Sequence, residues 1–134
     1  EWLKKINIFK KLKRLKKNFL ISPGIPLLLG FGFWGIVDSL NEKLVWWYLK
    51  RLIRKLNMDK YILYTNVWFP TKIKDKRCKL LIYDCDDFST FTSIQKRRLR
   101  LIDLESRMLK QADLFFAISR SLLSEKSKIN PHGF

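Results

Sequence analysis

The chain has 134 residues, of which 47% are hydrophobic and 14% aromatic, enough apolar mass for one domain with a buried core and too much for a disordered chain. Its 28 basic and 12 acidic side chains give a formal net charge of +16, which favours an anionic partner, nucleic acid or the anionic face of a membrane, beside the plain alternative of a solvated lysine-rich surface. Two cysteines, Cys78 and Cys85, are too few for a disulfide scaffold and have no zinc spacing, so both are expected as reduced thiols in a cytoplasmic protein, Cys85 as a small packing residue.

The sequence opens at Glu1 without an initiator Met and closes on the turn-like Pro131-His132-Gly133, which reads as a piece of a longer protein. The longest apolar run, residues 25–37, contains three glycines. It is shorter than the roughly 20 residues a membrane-spanning helix needs, so no transmembrane segment is expected.

Residues 1–17 form a basic N-terminal segment with apolar positions at Trp2, Leu3, Ile6, Phe9, Leu12 and Leu15. A strict spacing of three drifts around a helix, so an amphipathic helix is only weakly supported there. The segment NFLIS (18–22) reads as a short strand stopped by Pro23-Gly24 and Pro26, and Gly30, Gly32 and Gly35 keep the next run loop-like. A helix is expected from Ser39, with Ser39 and Glu42 as a capping box, to near Asn57. Val45, Leu49, Leu52, Ile53 and Leu56 line one of its faces, and Lys50, Arg51, Arg54 and Lys55 leave another basic.

Buried strands are expected at 60–66, 79–84 and 114–118. Between the last two a helix runs from Ile94 to Ala112, presenting Leu101, Ile102, Glu105, Met108, Leu109 and Ala112 on one side. Ser119 is placed to cap a short final helix through Lys126. Apolar strands alternating with amphipathic helices indicate an α/β fold with a parallel sheet covered by helices on both faces.

Asp84, Asp86 and Asp87 put a quarter of all the acids within four positions, at the end of an apolar strand. In open parallel sheets, ligands bind beyond the carboxyl ends of the strands. A carboxylate there can take a proton from a hydroxyl, hold sugar hydroxyls, or ligate Mg²⁺. A solvated acidic loop is the plain alternative. Ser119 and Arg120 follow the next strand end. His132 is the only histidine and on composition alone an ordinary surface side chain.

The segments LLIYDCDDFSTF (80–91), LESRMLKQADLFFAISRSLLSEK (104–126) and NPHGF (130–134), in that order, resemble the N-terminal Rossmann-like domain of GT-B glycosyltransferases, in particular bacterial enzymes that build cell-surface polysaccharides. The matching positions are Tyr83 to Asp87, Glu105 to Leu109, Ala112 to Ser119 and Pro131 to Phe134, and LISPGIPL and ILYTNVWFP resemble that domain's earlier strand ends, so the resemblance implies a Rossmann-like, acceptor-side domain over 18–134. The acidic segment is one residue shorter than the family's usual form. The family's first strand with its glycine loop, and its donor-binding C-terminal domain with two glutamates, have no counterpart in these residues.

The resemblance implies transfer of a sugar from a nucleotide-sugar to a cell-surface polysaccharide or lipid-linked acceptor, with no cofactor and no bound metal, and a fragment that is inactive alone. It implies Asp86 and Asp87 as catalytic or acceptor-holding groups. Asp84, Ser119, Arg120, His132 and Gly133 are implied as substrate-binding, with Arg120 suited to an anionic group and Gly133 to a tight backbone. The expected partners are a nucleotide-sugar, a glycan or lipid-linked acceptor, and an anionic membrane surface; no nucleic acid is expected. Trp34, Trp46, Trp47 and Tyr48 beside the basic clusters suit peripheral attachment at the inner membrane face; the plain alternative is that these aromatics are core, which is the expectation for Trp46 or Trp47 taken individually. The rival readings are a basic nucleic-acid-binding module and a non-catalytic α/β interaction module.

Overall fold

A computed structural model describes residues 34–66, 75–86 and 94–134, and the backbone of two short strands at 13–16 and 19–21. Strand β1 (Lys13–Lys16) pairs antiparallel with β2 (Phe19–Ile21), Lys13 opposite Ile21. The strand at 18–22 is therefore present, but it pairs with residues 13–16, where a helix was the weak expectation. An every-third apolar spacing offers a helix no single stripe to bury, and a ladder satisfies the same backbone groups across to β2. Residues 1–12 and the run 22–33 lie outside the described residues.

Helix α1 spans Gly35–Lys55 and begins four residues before the expected Ser39. Trp34 is its N-cap and supplies no side-chain bond, while Ser39 sits inside the helix, so the Ser39–Glu42 capping box is not used. The first turn instead holds Asp38, a favourable charge at the positive end of the helix dipole. Its buried carboxylate accepts from Arg100 Nε at 2.9 Å. The C-terminus closes as a Schellman motif: Met58 N–H reaches Ile53 O at 3.0 Å and Asn57 N–H reaches Arg54 O at 3.1 Å. Asn57 takes the left-handed backbone this requires, with φ of 49°.

Strands β3 (Tyr61–Thr65), β4 (Cys78–Cys85) and β5 (Leu114–Ala117) form a parallel sheet in the order β3-β4-β5. The register pairs Tyr64 with Ile82, Ile82 with Leu114 and Cys85 with Ala117. Helix α2 (Gln95–Gln111) connects β4 to β5, and α3 (Arg120–Lys126) follows β5. Ser119 caps α3 as expected, its Oγ accepting from Leu122 N–H at 3.2 Å. The segment after α3 then runs alongside β5: Phe115 N–H donates to His132 O at 3.1 Å, Phe134 N–H to Phe115 O at 3.0 Å, and Ala117 N–H to Phe134 O at 3.0 Å. Residues 132–134 are thus extended backbone added to the sheet, not a turn at its end.

The core lies on one face of the sheet. Leu81, Tyr83, Cys85 and Phe115 are fully enclosed there against Leu101, Leu104, Met108 and Leu109 of α2 and Leu122 of α3. Full burial of each large side chain stabilises by roughly 1.5–3 kcal/mol. On α2 the inward set includes Leu104 where Ile102 was expected; Ile102 is exposed, and 101, 104, 105, 108 and 109 follow the helical repeat more closely. Asp113 joins β4 to β5 twice: its N–H donates to Leu81 O and its carboxylate accepts from Leu81 N–H, both at 2.8 Å. Asn130 ties the end of α2 to the last segment. Its Nδ2 donates to Leu109 O at 2.9 Å and Ala112 O at 2.8 Å, and its Oδ1 accepts from His132 N–H at 2.9 Å.

Among the described residues no helix covers the opposite face, where helices were expected on both sides. Ile62, Tyr64 and Phe116 on that face are 64%, 58% and 40% exposed. The reason lies in strand order. Right-handed crossovers that step in one direction keep their helices on one face, and covering both faces needs a reversal of order. Among the described residues the order β3-β4-β5, followed by 132–134, has no reversal.

Candidate functional site

Strand β4 is the middle strand of the sheet, and its carboxyl end carries the acidic segment. Asp84 is its penultimate residue and Asp86 follows its last, Cys85. Side chains alternate along a strand, so Tyr83 and Cys85 enter the core while Asp84 joins the outer face. There Tyr64 Oη donates a hydrogen bond to Asp84 Oδ2. That bond raises the Tyr64 phenol above its ordinary value, because ionisation would set two negative charges side by side. Asp86 is half-buried; Asp87 lies outside the described residues.

The neighbouring strand end brings Ser119 and Arg120 to the same edge. The last pair of the register is Cys85 with Ala117, one residue before Asp86 and two before Ser119. Ser119 Oγ caps α3 and lies 3.0 Å from Ser121 Oγ, so its hydroxyl has a structural duty. Arg120 is exposed at the first position of α3.

His132 and Gly133 are not brought to this edge. Gly133 is level with Phe115, and His132 precedes it, level with the start of β5. Leu114, at that start, pairs with Ile82, four residues before Asp86, or about 13 Å back along the strand. The glycine is required by close approach: a Cβ at Gly133 would stand 2.3 Å from the Phe115 ring and 2.7 Å from Leu123 Cδ1.

A polar cluster beneath β4 was not foreseen as a unit. Glu105 is buried in α2 and receives Lys126 Nζ at 2.8 Å, Cys85 Sγ at 3.2 Å and Tyr83 Oη at 3.3 Å. Lys126 also reaches Glu125 Oε1 at 3.0 Å. Burial pushes the Cys85 thiol up, and the Glu105 charge adds to this, so the thiol is a protonated donor. Burial alone would lower the Lys126 ammonium, but its bonds to Glu105 and Glu125 outweigh that and raise it. The one sequence signal was Glu105 itself, an acid among the inward-facing apolar positions of α2. The cluster ties α2, β4 and α3 together.

Chemically, the carboxyl edge offers a half-buried carboxylate at Asp86, a second at Asp84 held by Tyr64, and a guanidinium on the adjoining strand end. Such a set can accept hydrogen bonds from hydroxyl groups and draw a proton from one of them. Among the described residues no three His, Cys, Asp or Glu side chains gather in a way that could hold a metal ion. Comparison with protein-family models, curated proteins and solved structures finds no significant match to the chain.

Proposed function

We propose that the chain is the acceptor-side part of a glycosyltransferase that moves a sugar from a nucleotide-sugar to a cell-surface polysaccharide or lipid-linked acceptor. The observation that supports this reading is the position of Asp84 and Asp86 at the carboxyl end of the middle strand of a parallel sheet. That edge is where α/β sheets bind their ligands.

In this reading Asp86 accepts a hydrogen bond from the acceptor hydroxyl and takes its proton as the oxygen attacks the anomeric carbon. The bond from that carbon to the donor phosphate oxygen breaks, and the nucleoside diphosphate leaves with the electron pair. Asp87 shares the acceptor-holding role. Asp84, fixed by Tyr64, orients acceptor hydroxyls, and Arg120 holds an anionic group. Basic side chains and helix N-termini offset the charge of the leaving diphosphate, and the donor is held by a second lobe beyond these residues.

The test is transfer of radiolabelled sugar from nucleotide-sugars by the product of the full reading frame that contains this chain. A positioned general base contributes about 10²–10⁴-fold, so Asp86→Asn should lower transfer by at least about 100-fold with an unchanged urea midpoint. Transfer at the parent rate by that variant would remove Asp86 from the mechanism. No transfer by the parent product with any nucleotide-sugar would favour a non-catalytic module.

A further inference from the structure

Among the described residues no helix is long and apolar enough to cross a membrane, yet α1 is apolar on two faces. The inward face carries Val45, Tyr48 and Ile53, all buried, with Leu49 and Leu52 beside them. On the outward face Ile36 is 78% exposed, Leu40 44%, Leu44 39% and Trp47 50%. At 3.6 residues per turn these four fall within a stripe about 80° wide, on the side of the helix away from Val45 and Leu52. A globular helix normally keeps that side polar.

Cations border the stripe. Lys43, Arg51 and Arg54 are exposed along it. The Lys50 ammonium sits 4.6 Å from the centre of the Trp46 ring, and the Arg51 guanidinium 5.7 Å from that of Trp47. At its N-terminal end the stripe continues through Trp34 and Ile36 into a cleft shared with Lys96, Leu99, Arg100 and Asp103 of α2, where Lys96 adds a cation and Arg100 is paired with Asp38 and Asp103. Trp34 and Leu99 are 63% and 61% exposed.

We propose that this face of α1, extended by the first turns of α2, docks onto the surface of an anionic lipid bilayer. Ile36, Leu40, Leu44 and Trp47 enter the boundary between headgroups and acyl chains, and the flanking lysines and arginines meet the lipid phosphates. Tryptophan is suited to that depth, with an apolar ring and a polar N–H. The net charge of +16 draws the whole molecule to a negative surface. A nucleic acid would use the cations but gain nothing from three exposed aliphatic residues in a row. The aromatic residues singled out in the sequence divide: Trp34 and Trp47 face outward, Trp46 is half-buried, and Tyr48 belongs to the core. The proposal does not rest on sugar transfer and involves none of its residues.

The experiment is co-sedimentation of the chain with vesicles of phosphatidylcholine alone or mixed with phosphatidylglycerol, alongside binding to a DNA duplex at the same salt. Binding to the anionic vesicles with a blue shift of tryptophan emission, absent with neutral vesicles, is expected. Leu40→Gln/Leu44→Gln/Trp47→Gln should weaken vesicle binding at least about tenfold. Arg51→Gln/Arg54→Gln should weaken it about 25-fold, about fivefold for each charge removed. Circular dichroism checks that each variant is folded; should the triple variant misfold, Ile36→Gln, at the most exposed position, gives the same readout on a smaller scale. Equal binding to neutral and anionic vesicles would overturn the proposal. So would anionic binding untouched by the apolar substitutions, or duplex binding tighter than vesicle binding and indifferent to them.

Discussion

Lys126 and Glu105 meet at 2.8 Å inside the protein, with 6% and 2% of their side chains exposed. An enclosed pair of this kind gains little over apolar residues of the same volume, but losing one partner strands the other charge away from water. Lys126→Met should therefore destabilise by about 3–5 kcal/mol, read as a lowered urea midpoint, and Glu105→Leu/Lys126→Met should regain most of that loss. A double variant no more stable than the single would show that the ammonium acts by another route.

The alkaline limit of stability should follow from four groups that hold their protons more tightly when folded, one of them Tyr64, raised by its bond to Asp84. Cys85 is raised above 9.0 by burial and by Glu105, Tyr61 above 10.0 by burial and its bond to Asp75, and Lys126 above 10.5 by its two carboxylates, which outweigh its burial. Each contributes stability that is complete below its ordinary value and is lost as pH rises towards its folded value. Unfolding free energy should thus be insensitive to these groups up to about pH 9 and fall beyond it. Cys85→Ala should move the onset of the decline upward, as followed by denaturant titration across the alkaline range.

Gly133→Ala should destabilise by about 1–3 kcal/mol, because the new methyl would collide with the Phe115 ring and Leu123, both part of the packed interior. Asn130→Ala should cost about 1–3 kcal/mol by a different route, leaving the carbonyls of Leu109 and Ala112 without their donor. Thermal melts of both variants check the two magnitudes.

Cys78 and Cys85 are both buried free thiols. In the native protein at neutral pH neither should react appreciably with Ellman's reagent, and both should react in denaturant. Rapid modification of Cys85 in the folded state would contradict its enclosure beside Glu105 and its raised thiol.

The three parallel strands were legible because they are short apolar runs bounded by polar residues, α2 because its inward positions repeat at the helical period, and α3 because Ser119 marks its N-cap; β1, a basic run without that apolar signature, was not. The start of α1 was not. Ser39 and Glu42 satisfy the capping pattern, yet Asp38 pairs with Arg100, 62 residues away, and that tertiary bond favours a helix already formed around Asp38. The expected burial of both sheet faces misled for a related reason: composition reports how apolar a strand is, not the order in which strands are laid. Of the site residues, Asp84, Asp86, Ser119 and Arg120 reach one edge because strand ends can be read locally. His132 and Gly133 could not be assigned to an edge, since their level depends on the register with Phe115. The outward stripe of α1 was hidden by the stronger signal of its inward face.

The one-way strand order also bears on how the sheet assembles. Ile62 finds Leu80, Ile82 finds Leu114, and Phe115 finds Gly133, so among the described residues every pairing of this sheet joins a segment to the one laid down just before it. No strand of this sheet has to wait for a distant portion of the polypeptide to thread between two others, and the sheet can grow in the direction of synthesis.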